Sequence, residues 1–237
     1  MALRLKADDG WWQDIGKLIE KSITIYDKVE KDPISITASK IIEERSWIVK
    51  PEDLYGAIKD LGFLYIPKKL FPGPMFLFPE IDVEGKLRAQ TKPLHSMFGP
   101  GKYFSMGVSK DEFTGPIWLG NDPSTISLIL KSGFVVLVEG PFDLLAARAM
   151  APSIPIMSSL TKTIGKKHEE YLRILGVKNI YLMYDNDEAG KKSMDILPNL
   201  VKTMKITPLE CPASDPSDCL KSRLKKEALK RVLEELE

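Results

Sequence analysis

The second half of the chain alternates between continuous apolar runs and amphipathic stretches. FVVLV at 134–138 is apolar at every position, which suits a strand buried on both faces of a parallel sheet. PFDLLAARAM at 141–150 is helical in composition, and IPIM at 154–157 predicts a second short strand. GKKHEEYLRILG at 165–176 is an amphipathic helix that stops at Gly176. NIYLMY at 179–184 predicts a third strand, DEAGKKSMDILPNL at 187–200 a helix that Pro198 ends early, and MKITPLE at 204–210 a fourth strand. The last twenty or so residues form an amphipathic helix. Strands alternating with helices predict a mainly parallel sheet covered on both faces.

The first half is patterned differently. Residues 38–61 show helical spacing broken at Pro51, where Pro51, Glu52 and Asp53 read as a helix start with acids near the positive end of the dipole. MFLF at 75–78 predicts a buried strand, and DVEG at 82–85 a hairpin turn. Residues 86–120 read as strands and loops rich in Gly and Pro, and residues 1–37 as short helices or a linker. The expected fold class is therefore α/β: a mainly parallel sheet flanked by helices, preceded by a smaller α+β subdomain. The expected divisions are 1–37, 38–130, 131–220 and a C-terminal helix at 221–237.

Composition adds little except by exclusion. No apolar run approaches the ~20 residues needed to cross a bilayer, and the N-terminus lacks a signal-peptide core. A cytoplasmic protein is the expectation, or one acting in a host cytoplasm, with no membrane partner. The two cysteines, Cys211 and Cys219, lack CxxC spacing, and His95 and His168 are far from them in sequence, so no zinc site is expected. The net charge is +1, yet Lys86, Arg88, Lys92, Lys102 and Lys110 fall between 85 and 110 with no acid among them. A basic stretch beside an acidic site cancels in the sum but not in space.

The acids fall at strand ends. Glu139 follows the first strand, Asp185 and Asp187 follow the third, and Asp215 and Asp218 lie just beyond the fourth. Ligands of parallel α/β sheets gather at that edge, and neighbouring strands are ~4.8 Å apart. Converging carboxylates repel unless a cation offsets them. Hard oxygen donors select Mg²⁺ or Mn²⁺, which favours phosphoryl or nucleotidyl transfer. Two readings stay open at single residues. Asp187 could ligate metal or cap the following helix, and Asp143 could join the site or cap the helix at 141–150. Asn186, between two acids of an extended segment, would point to the other face.

VVLVEGPFD, then YDNDEAG 46 positions after Glu139, then DPSD, resembles the TOPRIM domain of DnaG-type primases and of phage primase–helicases. Residues 38–67 are similar to the helical opening of that catalytic core, and 75–107 to its basic subdomain. The resemblance implies a DNA primase, a nucleotidyltransferase that makes short RNA primers on a single-stranded DNA template from nucleoside triphosphates. It implies Glu139, Asp185 and Asp187 as essential acids and Asp185, Asp187 and Asp215 as ligands of two or more Mg²⁺ or Mn²⁺ ions, with Glu139 binding metal or moving protons. It implies Lys102, Lys92, Arg88 and Tyr103 as nucleotide or template contacts, with Asp143 and Asp218 as additional site residues. The chain departs from the family where DPSD stands for DPD and where no Asn-Ser-Pro run follows KYF. Without a zinc ribbon or a Walker motif, the resemblance implies a catalytic fragment or a small primase served by a helicase or a separate template reader. The rival functions are a TOPRIM nuclease and a non-catalytic nucleic-acid-binding adaptor.

Overall fold

The structure is a computed structural model that describes residues 20, 26, 32–67, 74–81, 87–94, 104–107, 118–160, 164–188, 190, 192, 196–197, 201 and 203–237. Helix α1 (Pro33–Arg45) begins at a cap: the two carboxylate oxygens of Asp32 accept hydrogen bonds from the N–H groups of Ile34 and Ser35. It ends at Ser46 in the left-handed region. Helix α2 (Pro51–Leu61) carries Pro51 in its first turn and stops at Gly62, at a φ of 64° that favours glycine. The expected edge at 37/38 thus lies inside α1, because Asp32 starts that helix upstream.

An antiparallel sheet follows, with strands β1 (Leu64–Ile66), β2 (Met75–Ile81), β3 (Leu87–Pro93) and β4 (Phe104–Gly107) in sequential order. The predicted MFLF strand is the opening of β2. The predicted DVEG turn lies outside the described residues, but β2 and β3 pair antiparallel up to Ile81 and Leu87 on either side of it.

Helix α3 (Pro123–Ser132) leads into the second sheet. Its strands are β5 (Phe134–Val138), β6 (Ile156–Ser158), β7 (Asn179–Leu182) and β8 (Lys205–Pro208), all parallel, in the order β6-β5-β7-β8. Helices α4 (Pro141–Met150) and α5 (Lys166–Ile174) supply crossovers, and a short α6 (Pro216–Cys219) precedes α7 (Arg223–Glu234). The α/β fold with a separate antiparallel sheet is as predicted. Strand limits differ by one or two residues: β6 starts at Ile156 and β7 ends at Leu182, where the chain leaves the ladder to form the site.

Strands β5 and β7 occupy the middle of their sheet, which explains why FVVLV is apolar throughout: Val135 to Val138 are fully buried. One apolar cluster then joins the two sheets. Ile41, Leu54, Phe76 and Phe78 from the first half pack with Phe142, Leu145 and Val138 from the second. The Phe142 ring meets those of Phe76 and Phe78 edge-on, at 5.7 and 5.3 Å between centroids.

A buried ion pair secures the other side of α4. Arg148 contacts Asp122 at 2.7 Å, with the two side chains 7% and 15% exposed. Its guanidinium also donates to the carbonyls of Gly120 and Ile156 and to the Thr125 hydroxyl. Burial raises the Asp122 carboxyl, but the Arg148 charge and bonds from Ser124 and Thr125 outweigh it and hold the carboxyl below the usual range.

Arg148→Met is expected to lower unfolding stability by about 3–5 kcal/mol, because it strands the Asp122 charge in a dry site. The loss is read by denaturant melts. A depressed carboxyl contributes stability above its unfolded pKa and loses it as pH falls through the folded one. The gap between wild type and variant is therefore expected to be full at neutral pH and to narrow below about pH 4.

Candidate metal and nucleotide site

The site lies where β5 and β7 end. These strands are adjacent and parallel, paired from Phe134–Asn179 to Leu137–Leu182. Met183 N–H still donates to the Leu137 carbonyl at 2.9 Å. Past that point the chains splay, and Glu139 and Asp185 leave from the same edge. Glu139 Oε1 accepts a hydrogen bond from Asp185 N–H at 3.1 Å. The two predicted acids, 46 positions apart in sequence, are neighbours.

Each of the other strand-end acids is also held by backbone. Asp143 accepts from Gly140 N–H at 3.0 Å and from Ser217 N–H at 3.3 Å. It therefore caps the start of α4 and also faces the site, which merges the two readings left open. Asp187 Oδ1 accepts from Gly190 N–H at 2.6 Å, as a helix cap does. Asp215 caps α6 by accepting from Asp218 N–H at 2.6 Å. Asp218 itself turns to Lys221, at 2.5 Å, and to the Ser214 hydroxyl. Asn186 does point to the other face, as alternation predicts: its side-chain amide donates to the carbonyls of Cys211 and Ala213 at 3.2 and 2.9 Å, while its N–H donates to Ser214 O at 2.8 Å. The loop after β7 is thereby laced to the loop after β8.

An open cleft of about 320 Å³ is lined by Glu139, Asp143, Asp185, Gln90, Gly140 and Leu160. Gln90 comes from β3, so the antiparallel sheet forms one wall. The far wall is shaped by Ser158, whose hydroxyl donates to Glu139 O at 2.7 Å and accepts from Leu160 N–H at 3.2 Å. Leu160 takes a φ of 55°, strained for a side chain other than glycine.

The electrostatics are those of crowded acids. Asp143 is pushed up to about 8, first by burial and then by the charges of Asp215 and Asp185. Burial also raises Asp215. Two cations stand beside them. Arg45 donates to the Ser217 hydroxyl at 3.2 and 2.6 Å, and both Arg45 and the partly buried Lys92 lie 5.0 Å from the centroid of the Phe142 ring. Burial, then the Arg45 charge, lowers Lys92.

Of the predicted basic contacts, Lys92 is thus placed beside the acids. Arg88 is in β3, paired with Gly107 in the ladder, and its side chain is outside the described residues, as are Lys102 and Tyr103. Sequence reasoning missed Arg45 and Gln90. Neither carries a local motif: Arg45 is the last residue of an ordinary helix, and only the tertiary fold brings it to Ser217.

The donor set fits a divalent cation in its chemistry. Glu139 and Asp185 offer hard oxygens at the cleft, and the repulsion felt by Asp143 is what a cation would relieve. Among the described residues, no three acidic, His or Cys side chains stand close enough to cage an ion together.

The fold is that of an α/β domain with an acidic strand-end edge, and residues 136–220, which carry that edge, match the family described as Toprim-like. More particularly, the chain has the fold of a DnaG-type primase catalytic core. It is similar to the RNA polymerase domain of Mycobacterium tuberculosis primase DnaG, with a TM-score of 0.61 at 17% identity over 92% of this chain and 83% of that one. It is also similar to the primase fragment of the bacteriophage T7 primase-helicase protein, with a TM-score of 0.56 at 18% identity over 81% and 72%. In sequence it is 32% identical to Aquifex aeolicus DNA primase over 108 residues. It is 36% identical to the uncharacterized protein MG010 of Mycoplasma genitalium over 66 residues. These matches cover 44% and 27% of this chain, and only 21% and 29% of the relatives' own lengths.

Gly190 is the tightest point of the site. A Cβ there would stand 2.0 Å from the Asp185 carbonyl oxygen and 3.2 Å from Glu139 Oε1. Backbone cannot swing aside as a side chain can, so Gly190→Ala must displace the segment after Asp187. The expected result is a folded protein, by circular dichroism, whose Mn²⁺ affinity falls by about 10- to 100-fold, the scale of changes around a metal's ligands. Unchanged Mn²⁺ titration would contradict this placement.

Proposed function

We propose that the chain is the catalytic core of a DNA primase, which joins ribonucleotides into short primers on single-stranded DNA. The observation that carries the reading is the hydrogen bond joining Glu139 to Asp185, with Asp143 lining the same cleft and the cationic pair Arg45 and Lys92 next to it. A nuclease or a primase both need the acids. The antiparallel sheet carrying Lys92 and Gln90 gives the cleft a second wall, on which a template and an incoming nucleotide can be laid side by side, and this favours synthesis.

Mg²⁺ or Mn²⁺, held by Glu139, Asp185, Asp187 and Asp215, would supply charge neutralisation and activation of the attacking 3′-hydroxyl. The residues of the chain do the remaining work. Lys92 and Arg45 face phosphate oxygens and hold them by charge, a contact that is sensitive to salt and indifferent to base sequence. Lys102, Arg88 and Tyr103 extend that contact along the basic segment. Asp143 is held between the N–H groups of Gly140 and Ser217, which fixes the start of α4 against the α6 turn at the edge of the site. Asp218, engaged by Lys221, has a supporting part at the edge. The divisions proposed for the chain are a basic subdomain that starts at Asp32, ahead of α1, and runs to about 130, and the acidic domain at 131–220, followed by the helix at 221–237.

The partners that fit this reading are a single-stranded DNA template, nucleoside triphosphates and a helicase or separate template reader. Two similar structures are of a DnaG catalytic domain bound to single-stranded DNA and of a primase-helicase fragment. Among the described residues no helix is long and apolar enough to cross a membrane, which accords with replication work in a cytoplasm.

Incubation with single-stranded DNA, labelled ribonucleotides and Mg²⁺ or Mn²⁺ is expected to yield short new oligomers. Shortened template instead would indicate a nuclease, and binding without either product an adaptor. Asp185→Asn and Asp187→Asn are each expected to lower synthesis by at least about 100-fold, more than changing a residue that only supports a metal ligand costs, while leaving the thermal melt within a few degrees of wild type.

A further inference from the structure

Beneath the loop that carries Asp215 lie two thiols that the acidic site does not use. Cys211 follows β8 and Cys219 is the last residue of α6, eight positions later. Both are free and buried, at 4% and 0% exposure, and their sulfurs are 3.7 Å apart, at van der Waals contact. A disulfide needs sulfurs at about 2.05 Å, so roughly 1.7 Å of approach separates the two states. The segment between them is short and makes three attachments to the site: Ser214 O and Ala213 O to Asn186, Ser217 N–H to Asp143, and Ser217 Oγ to Arg45. Any movement that closes the sulfurs must be taken up by α6, a single four-residue turn that bears Asp218 and is capped by Asp215.

We propose that Cys211 and Cys219 form a reversible intramolecular disulfide under peroxide, and that closing it shifts the Asp215 loop against Asn186 and Asp143. The chemistry balances with hydrogen peroxide as oxidant. One of the two sulfurs, as its thiolate when the segment opens, attacks one peroxide oxygen and becomes a sulfenic acid, and the other oxygen leaves as hydroxide and takes a proton to become water. The thiol of the other cysteine then attacks that sulfur, the S–O bond breaks and a second water leaves. Overall two thiols lose two hydrogens and one peroxide becomes two waters. Burial makes the first step slow, set by local opening of the 211–219 segment, and contact between the sulfurs makes the second fast. Intracellular disulfides of this kind are transient and redox-sensing rather than structural. The effect on cation binding rests on the reading of Asp215 as a ligand; the thiol chemistry does not.

Trypsin releases both cysteines in one peptide, Ile206–Lys221, which contains no methionine. After treatment of the folded chain with millimolar peroxide and then iodoacetamide, that peptide is expected two hydrogens lighter and unalkylated, and restored by dithiothreitol. Alkylation at both cysteines, a sulfinic acid on one, or a disulfide between chains would overturn the proposal. Cys219→Ser is expected to abolish the lighter species. Hydrogen exchange is the second readout: oxidation is expected to speed exchange at the amides of Asn186 and Ser217, and unchanged exchange at both would overturn the loop movement. Mn²⁺ titration of the two forms is expected to differ by about tenfold. A lighter peptide with faster exchange and no Mn²⁺ binding in either form would sink the metal reading while leaving the thiol switch standing.

Discussion

Two adjacent parallel strands that end level leave their next residues no choice but to share an edge. In this chain that constraint puts Glu139 beside Asp185, since Leu137 pairs with Leu182 and the ladder ends there. The apolar runs before each acid are buried on both faces, so neither strand can slip without exposing them, and a slip of one residue would also reverse which side chains face the cleft. Hydrophobic burial in the middle of the sheet thus sets the position of charges at its end. Swapping β7 with β8 would move Asp185 a further strand away, beyond reach of Glu139.

The other half of the molecule matters because the same core runs through both. Phe142 is the hinge of that arrangement: it starts α4 one turn from Glu139, packs against Phe76 and Phe78 of the antiparallel sheet, and lies beneath Arg45 and Lys92. A single buried ring therefore ties the acidic edge to the basic wall. It also keeps two cations close to each other, which is unfavourable by itself and adds to the burial that lowers Lys92. The arrangement makes sense where anionic phosphates enter between cations and acids.

Most of the second half was legible from sequence because its first strand and the helix after it are almost fully buried and strands alternate with helices in a regular order. The acids were legible for a related reason: they follow apolar runs, and strand ends of parallel sheets share an edge. What was not legible has a physical cause in each case. Arg45 reaches Ser217 across 172 positions, and nothing in EERSW distinguishes it from a solvated helix end. Gln90 is one polar position in an alternating strand. The start of α1 at Pro33 rests on Asp32 alone, in a stretch without strong apolar period. The choice between capping the helix and joining the site was open for Asp143 because its two oxygens accept from different N–H groups, one at the start of its own helix and one in the α6 turn, and it lines the cleft as well.

The way the acids are held explains how they can be crowded without being neutralised. A salt bridge would fix a carboxylate and cancel its charge together, as Lys221 does for Asp218. Glu139, Asp143, Asp187 and Asp215 are instead each fixed by at least one backbone N–H. Such a donor sets geometry with a fraction of a charge, where a paired cation would bring a whole one. Backbone donors are also placed by the loops themselves, so the donors and the acids form in the same folding step. Burial first, and then the neighbouring charges, raises Asp143 and Asp215, and a divalent cation would relieve that repulsion more effectively than protonation, because one ion serves several oxygens at once.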